Sequence, residues 1–248
     1  MTSDGAIVVM HRQKESSDTI VVKKKKADFE RVLDYLEYEI LTGVLKPRER
    51  LVESDCMQRY DAKRSTVRKA LKELAIKGFV RLHKNRGAAV ADLCESEIQD
   101  IYSVRILLEN YATDLIVKNV DQASLDKIKK FHAQFGEFVR ENDFAGMLTT
   151  NIKFHQAIFR LCGNNVLTDL IDQLRTRSHL LRHYIWRQPG RLHKSVEEHA
   201  ELIRAIENRD SGELKRINEK HITAGIAPYL ADLWPRSNEV SGPSEKGG

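Results

Sequence analysis

The spacing of apolar residues along the chain changes in kind near residue 92. Over residues 28–42 apolar side chains recur at three- and four-residue steps, which predicts an amphipathic helix that Gly43 ends. A short helix is predicted to begin at Glu53, and a third to occupy 64–77 with apolar side chains on one face. Two short strands follow, joined by a basic turn that ends in glycine.

The two predicted strands cover residues 79–82 and 88–90, with Lys84–Gly87 as the turn between them. Helices followed by a hairpin are the order of elements in a winged helix-turn-helix, whose recognition helix enters the major groove of duplex DNA. We therefore predict that the first part of the chain binds double-stranded DNA.

After residue 92 every segment has a helical period, and no strand-type alternation is found. Four predicted helix starts carry residues that cap helices well: Asp121, Asp143, Asn164 and Asp210. The predicted helices span 95–118, 121–141, 143–162, 165–187, 190–208 and 211–231. Their short connections predict an all-α antiparallel bundle of about six helices.

The predicted fold class is therefore mostly α, a winged helix-turn-helix with a small β-hairpin wing followed by an all-α helical bundle. We place the DNA-binding domain at 27–92 and the helical domain at 93–232. The flanking segments, a basic tail at 1–26 and a tail rich in Ser and Gly at 233–248, are predicted to be disordered.

The two halves differ in charge. Residues 1–92 hold 20 Lys and Arg against 14 Asp and Glu, a net charge of +6, whereas the remainder holds 21 against 22. A basic first half suits a polyanionic partner. Three cysteines, widely separated in sequence, are predicted to be reduced core residues. The lack of an apolar run of about 18 residues predicts a cytoplasmic protein.

The start of the third helix carries the side chains expected to read DNA. Arg64 and Arg68 are four residues apart and so share a face, and Ser65 and Thr66 add hydroxyl groups. Arginine pairs with guanine or grips phosphate, and the residues alone leave open which arginine does which. The predicted DNA contacts are Arg48, Lys63, Arg64, Ser65, Thr66, Arg68, Lys84, Arg86 and Gly87.

Short motifs run through this half: Gly43-Val-Leu45-Lys-Pro47, Leu51, Arg64–Leu71, Gly78-Phe-Val80 and Arg86-Gly87. They resemble those of the GntR family of transcription regulators. Three positions depart from that family's pattern, since Arg48 replaces a glycine, Lys63 replaces Ser or Thr, and Thr66 replaces a proline. The departures affect the operator sequence to be expected and leave the prediction of DNA binding intact.

Three of the nine histidines have neighbours typical of a metal site in a helical bundle. Asn151 and His155 share one helix face, His199 lies on an apolar stripe, and His221 lies in the last predicted helix. Inward-pointing imidazoles from several helices are a common way to build such a site.

Signature segments of the second half are Val104-Arg105-Ile-Leu-Leu-Glu109, Asn151-x-x-x-His155, Gly163-Asn164, Glu198-His199 and His221. They resemble the FCD effector domain of the FadR/VanR-type branch of GntR regulators. The resemblance implies a divalent metal ion, zinc first and nickel or another divalent ion otherwise. It also implies a small carboxylate effector that pairs with Arg105. The metal ligands that the resemblance implies are Asn151, His155, His199 and His221.

The residue at position 151 has a physical consequence. An aspartate there would place a negative charge on the metal, whereas Asn151 offers only a neutral carbonyl oxygen. The ligands would then be three imidazoles and an amide, which leave the charge of the ion uncompensated. We hypothesise that metal binding is weak alone and strongly coupled to an anionic ligand.

The expected function is a homodimeric repressor, not an enzyme, that reads a pseudo-palindromic operator and responds to the effector. Three alternatives stay open. His179 and His183, four residues apart, are rival metal ligands. A metal-dependent hydrolase with a DNA-binding appendage is the second, although Glu198, the nearest candidate base, is expected to point away from the metal. An architectural DNA binder without an effector is the third.

Overall fold

The computed structural model of the chain describes residues 28–83, 87–224 and 226. Within that part the chain forms ten α-helices, one 3-10 turn and one three-stranded antiparallel sheet, which confirms the mostly α class. None of the described helices has the length and hydropathy needed to cross a membrane. The tails predicted at 1–26 and 233–248 lie outside the described residues, as does the wing tip at 84–86.

The described residues fall into two compact units. One holds the residues up to Asp92 together with Gln134–Lys153, and the other holds Leu93–Ala133 and the residues from Phe154 onward. The fifth and sixth helices therefore contribute residues to both. The predicted domain boundary between 92 and 93 stays a prediction.

The first unit contains the predicted winged helix-turn-helix. Its helix α1 packs on α3 because each presents the apolar face that the periodicity predicted, with Leu36 and Leu74 completely buried. Each such buried aliphatic side chain contributes about 1.5–3 kcal/mol by leaving water. The elements are α1 Asp28–Leu41, β1 Arg50–Leu51, α2 Glu53–Arg59, α3 Arg64–Ile76, β2 Val80–His83 and β3 Gly87–Val90.

The sheet has the order β1-β3-β2. Strands β2 and β3 form the predicted hairpin, with Val80 opposite Val90 and His83 opposite Gly87. Strand β1 was not predicted, because its two residues are too few to show an alternation. It pairs with β3 through Arg50 and Ala89, and so closes the base of the wing.

The remaining elements are all helical. All four predicted capping residues accept a hydrogen bond from a backbone N–H three residues later, at 2.7–3.1 Å. The elements are α4 Glu95–Asn119, α5 Gln122–Glu141, α6 Phe144–Arg160, α7 Asn165–Ser178, a 3-10 turn His179–Leu181, α8 Arg182–Trp186, α9 Arg191–Glu207 and α10 Ser211–Thr223. The core of the second unit is formed mainly where α4, α9 and α10 pack together and α7 packs on α4.

The prediction of one continuous helix over 165–187 is wrong, because the helix that begins here is interrupted. It ends at Ser178, and a 3-10 turn separates it from the short α8, so the described part of this half holds seven helices and not six. The Ser178 hydroxyl donates to the carbonyl of Arg175 at 2.7 Å and accepts from Arg105 at 3.1 Å. A side chain of α4 thus binds at the point where the helix changes, a contact that the period of 165–187 does not show.

The cysteines are only partly where the sequence placed them. Cys56 and Cys162 are buried, as predicted, whereas Cys94 is exposed and all three are free thiols. Cys94 is the N-cap of α4, and its backbone N–H donates to Glu97 at 3.0 Å. Its position before the first turn of a helix explains its exposure.

Candidate metal centre and DNA-reading surface

Three histidines from α6, α9 and α10 converge on one point. The ring centroids of His155, His199 and His221 lie 5.0–5.2 Å apart. One nitrogen of each ring lies within 4.8 Å of the others, and all three side chains are buried. Nitrogens bound to one tetrahedral zinc ion are about 3.4 Å apart, so modest ring movements would close the site on an ion. We call these three residues the histidine triad.

Burial keeps the triad neutral. It lowers the pKa of His155, His199 and His221 well below the ordinary value, and nearby arginines lower it further. Neutral imidazole is the form that binds metal. The arginines that oppose an imidazolium would also oppose a bare divalent cation, so an accompanying anion would favour a cation at this position.

Glu198 contacts the triad from its outer side. Its Oε2 accepts a hydrogen bond from His221 Nδ1 at 2.7 Å and another from Arg191 Nη2 at 2.8 Å. Because a carboxylate only accepts, the proton lies on Nδ1 and the Nε2 lone pair of His221 remains for a metal. Glu198 thus reaches the triad only through the outer nitrogen of His221, a contact that the sequence did not predict. His221 reaches it from α10, and spacing within α9 cannot show that approach.

Polar atoms on α6 are short of partners. His155 Nε2 is buried without a hydrogen-bond partner among the described residues. The same holds for both amide atoms of Asn151, one turn earlier in the helix. Since buried polar atoms in proteins are nearly always paired, these atoms are suited to a ligand. Imidazole nitrogen and amide oxygen together fit a borderline divalent cation.

The rival pair lies elsewhere. His179 is buried in the 3-10 turn, not on the polar side of a helix as predicted, because the helix breaks just before it. It does not belong to the three converging histidines. The side chain of His183 lies outside the described part of the structure.

A buried ion cluster joins α4 to α7. Glu109 accepts from Arg105 Nε at 3.0 Å and, through both oxygens, from Arg175 Nη1 at 3.0 and 3.2 Å. Burial works to raise the pKa of Glu109, but the two guanidinium groups outweigh it and hold that pKa below the ordinary value. Arg105, the predicted partner of the effector, therefore already has a carboxylate partner and a second contact with Ser178.

The cavity that touches the triad is small. It has a volume of ≈ 10 Å³ and is lined by His155 and by mostly apolar side chains of α4, α6, α9 and α10. A space of that size holds about one water molecule. An organic acid would not fit in this cavity unless its lining side chains moved.

The predicted DNA-contact residues at the start of α3 are on the surface. Lys63, Arg64, Ser65 and Arg68 are exposed and Thr66 is half-buried, while Val67 on the opposite face is completely buried. The helix therefore presents its basic face to solvent, as docking in a groove requires.

Glu53 lies across the two arginines. Its Oε1 accepts from Arg68 Nε at 2.6 Å, and its Oε2 lies 3.7 Å from Arg64 Nε. Glu53 is the first residue of α2, so its own position is fixed by a helix start. If Arg68 contacts DNA as predicted, Glu53 would have to release or share its guanidinium.

The other predicted DNA contacts are spread over the wing and the linker. Arg48 is exposed, has φ 67°, and its Nε lies 2.5 Å from Asp92. That left-handed conformation explains why glycine is the expected residue there. Gly87 has φ 84°, also favourable for glycine, and begins β3. Lys84 and Arg86 lie outside the described residues.

Comparison with known proteins agrees with this architecture. The FCD domain matches residues 100–224, and the bacterial regulatory proteins of the gntR family match residues 29–90. The chain belongs to the GntR family of transcriptional regulators with an FCD domain. As a member, it is a DNA-binding transcriptional regulator, and the relatives it matches are regulators and not enzymes.

Individual GntR regulators show the same resemblance at low identity. The chain is 22% identical over 190 residues to YdhC of Bacillus subtilis, which covers 76% of this chain and 83% of that protein. It is 26% identical over 210 residues to the gluconate operon repressor of Bacillus licheniformis, covering 82% and 85%. The structure of E. coli McbR/YncC superposes with a TM-score of 0.71 at 20% identity, over 84% of this chain and 99% of that one.

Several functional residues escaped the sequence analysis. Arg175 and Ser178 have no local pattern, because their partners Arg105 and Glu109 lie at least 66 positions away. The spacing of Arg105 and Glu109 at i,i+4 on one helix was a usable signal for an ion pair. No signal pointed to the contact between Glu198 and His221.

Replacing Glu109 by glutamine is expected to destabilise the fold strongly. Glu109→Gln leaves two buried guanidinium groups without a countercharge, which costs about 3–5 kcal/mol. The pKa of Glu109 is lower in the folded protein than in the unfolded chain. Its contribution to the free energy of unfolding is therefore fully present above the unfolded pKa of about 4.3 and is lost as pH falls through the folded-state pKa. Urea unfolding at pH 7 and at acid pH measures both effects.

Asp114→Asn is the matched control on the same helix. Asp114 pairs with Lys215 at 2.8 Å, but both side chains are exposed to solvent by more than a third. Such a surface pair contributes about 0–1 kcal/mol. If Glu109→Gln lowered the free energy of unfolding by no more than Asp114→Asn does, the structural role of the buried cluster would be contradicted.

Proposed function

We propose that this regulator is a repressor whose operator affinity is controlled by a divalent metal ion and a small carboxylate effector in the helical half. It acts on cytoplasmic operator DNA as a homodimer. The convergence of the histidine triad carries the proposal. Three neutral buried imidazoles whose nitrogens converge at this spacing are suited to coordinating a metal ion.

The ligands proposed for the metal are the triad and Asn151. Zinc is the first candidate, and nickel or another divalent ion would accept the same donors. A bound ion would supply an electrophilic position that accepts an anion. Glu198 orients the ring of His221 through a hydrogen bond. The ring of Phe154 stacks on that of His199, with 4.2 Å between the ring centroids, and orients this second ring.

Metal and effector are proposed to bind as one unit. Asn151 brings no charge, and the nearby carboxylates of Glu109 and Glu198 are already shared with arginines. An ion of charge +2 would enter a site that is positive before it arrives. An anionic effector lowers that cost, so each ligand should raise the affinity for the other.

The effector class is supported by charge and by the relatives. Buried arginines near the triad suit an acid, with Arg105 as the partner that the FCD resemblance implies. Two of the regulators that this chain resembles are gluconate operon repressors, and gluconate is a carboxylate. Because the cavity at the triad is small, the acid would select a rearranged packing, which is the kind of change that can shift operator affinity.

An exposed apolar stripe supports the homodimer. On α4 the stripe runs through Val104, Leu107 and Tyr111, and on the adjoining α7 it continues with Val166 and Leu170. Leu107 is 69% and Tyr111 is 60% exposed. Exposed apolar side chains on adjoining helices are typical of an interface, and in a homodimer the same surface would meet its own copy about a two-fold axis.

Arg68→Ala is expected to abolish specific operator binding while leaving the fold unchanged. The side chain is exposed and its removal costs no core contact. The measurement is a gel shift with an operator selected from random duplexes, compared with Lys127→Ala, which removes one exposed positive charge from α5. Equal loss in both variants would show that Arg68 acts only through net charge.

Zinc calorimetry on the full chain tests the metal proposal. The native protein is expected to bind zinc more tightly with a carboxylate such as succinate present than without it. His199→Ala is expected to lose zinc binding and to keep the operator binding of the metal-free protein. Identical zinc affinity with and without acid refutes the coupling, and full zinc binding by His199→Ala would reassign the ligand.

Leu107→Glu is expected to convert the dimer into a monomer. Burial of a carboxylate in an apolar interface is costly, whereas on a free surface it is harmless. Sedimentation equilibrium measures the change. Ile76→Glu is the control, since Ile76 is equally apolar and exposed but belongs to α3. A dimer that survives the Leu107 change places the interface elsewhere.

A further inference from the structure

Four arginines lie within electrostatic reach of His221, and the described residues offer them fewer carboxylates than guanidinium groups. They are Arg105, Arg175, Arg182 and Arg191. Glu109 pairs with the first two, and Glu198 pairs with Arg191. Arg182 has no carboxylate partner among the described residues, where its guanidinium lies 5.1 Å from the ring centroid of Trp186. Among the described residues, two carboxylates form ion pairs with these four guanidinium groups, and a third, Asp172, acts on Arg175 without an ion pair.

The unused hydrogen-bond donors are on two of these arginines. Nε of Arg182 and both Nε and Nη1 of Arg191 are buried without a partner among the described residues. Burial and the other arginines lower the pKa of Arg182 to about 9. Buried donors on a cation normally have partners, because leaving them unpaired costs several kcal/mol. Their position therefore suits an anion.

The two arginines are neighbours of the histidine triad. Arg191 and His221 donate to the same oxygen of Glu198, at 2.8 and 2.7 Å. Arg182 is among the charges that lower the pKa of all three triad histidines. The unused donors of Arg191 are thus close to the proposed metal without being ligands to it, and Arg182 lies within electrostatic reach of the same position.

We propose that Arg182 and Arg191 form a second anion subsite, so that the effector carries two anionic groups, one for the metal and one for this pair of arginines. The inference rests on the proposed function and narrows it from a small acid to a short diacid or a phosphorylated acid. A monoacid fills only one of the two positions and leaves the guanidinium groups of Arg182 and Arg191 unpaired.

The test compares acids that differ by one charged group, with the zinc-loaded full chain in calorimetry. Succinate is measured against butyrate, and phosphoglycolate against glycolate, which separates a second carboxylate from a phosphate. We expect one doubly charged acid to bind about tenfold or more tightly than its singly charged counterpart. Equal affinities within each pair would overturn the second subsite.

Two variants assign the preference to its residues. Arg182→Gln is expected to bring the doubly and singly charged acids to similar affinity and to leave thermal stability nearly unchanged, because the side chain is half-buried and has no carboxylate partner among the described residues. Arg204→Gln, an exposed arginine of α9, is expected to keep the preference. A preference that survives in Arg182→Gln overturns the assignment.

Failure of this inference and failure of the proposed function give different results. Singly charged acids that bind as well as doubly charged ones, and that change operator affinity, would overturn only the second subsite. Zinc-loaded protein that binds none of the four acids would overturn both proposals.

Discussion

The helical half depends on how its buried charge is compensated. Glu109 is completely buried and is stable as a carboxylate mainly because Arg105 and Arg175 both donate to it. Arg105 also donates a hydrogen bond to Ser178, the last residue of α7. One ion cluster thus joins α4 to α7. It lies at the end of α7, and Arg182 of α8 follows a few residues later. Removing the carboxylate would leave two guanidinium groups buried without a countercharge.

The same constraint governs the candidate metal centre. The triad histidines are neutral because they are buried among arginines, which makes them good ligands but gives a cation positive neighbours. Glu198 contributes negative charge only through His221, and Arg191 shares it. Under the proposed function, the positive charge of the site would be compensated only when a metal ion and an anion bind together. A regulator built this way would respond to its acid only when metal is present, and to metal only weakly when the acid is absent.

Sequence reasoning succeeded where local pattern determines structure. The buried face of α3 follows from the spacing of Val67, Leu71 and Leu74, and the caps at Asn164 and Asp210 follow from residue type and position. It failed where the cause is distant in the chain. The break after Ser178 coincides with a contact from Arg105, 73 positions earlier, and Glu198 meets His221 across 23 positions. Spacing alone could not show that three histidines from separate helices meet, and the family resemblance supplied that expectation.

Operator binding by the full chain in four conditions tests the central claim most directly: with chelator alone, with zinc alone, with acid and chelator, and with zinc and acid together. The acid is the one that the calorimetric comparison selects. The coupled site predicts that operator affinity changes substantially only when zinc and acid are both present. An acid that changes operator affinity equally well in the presence of chelator would contradict the claim that metal and effector act as one unit.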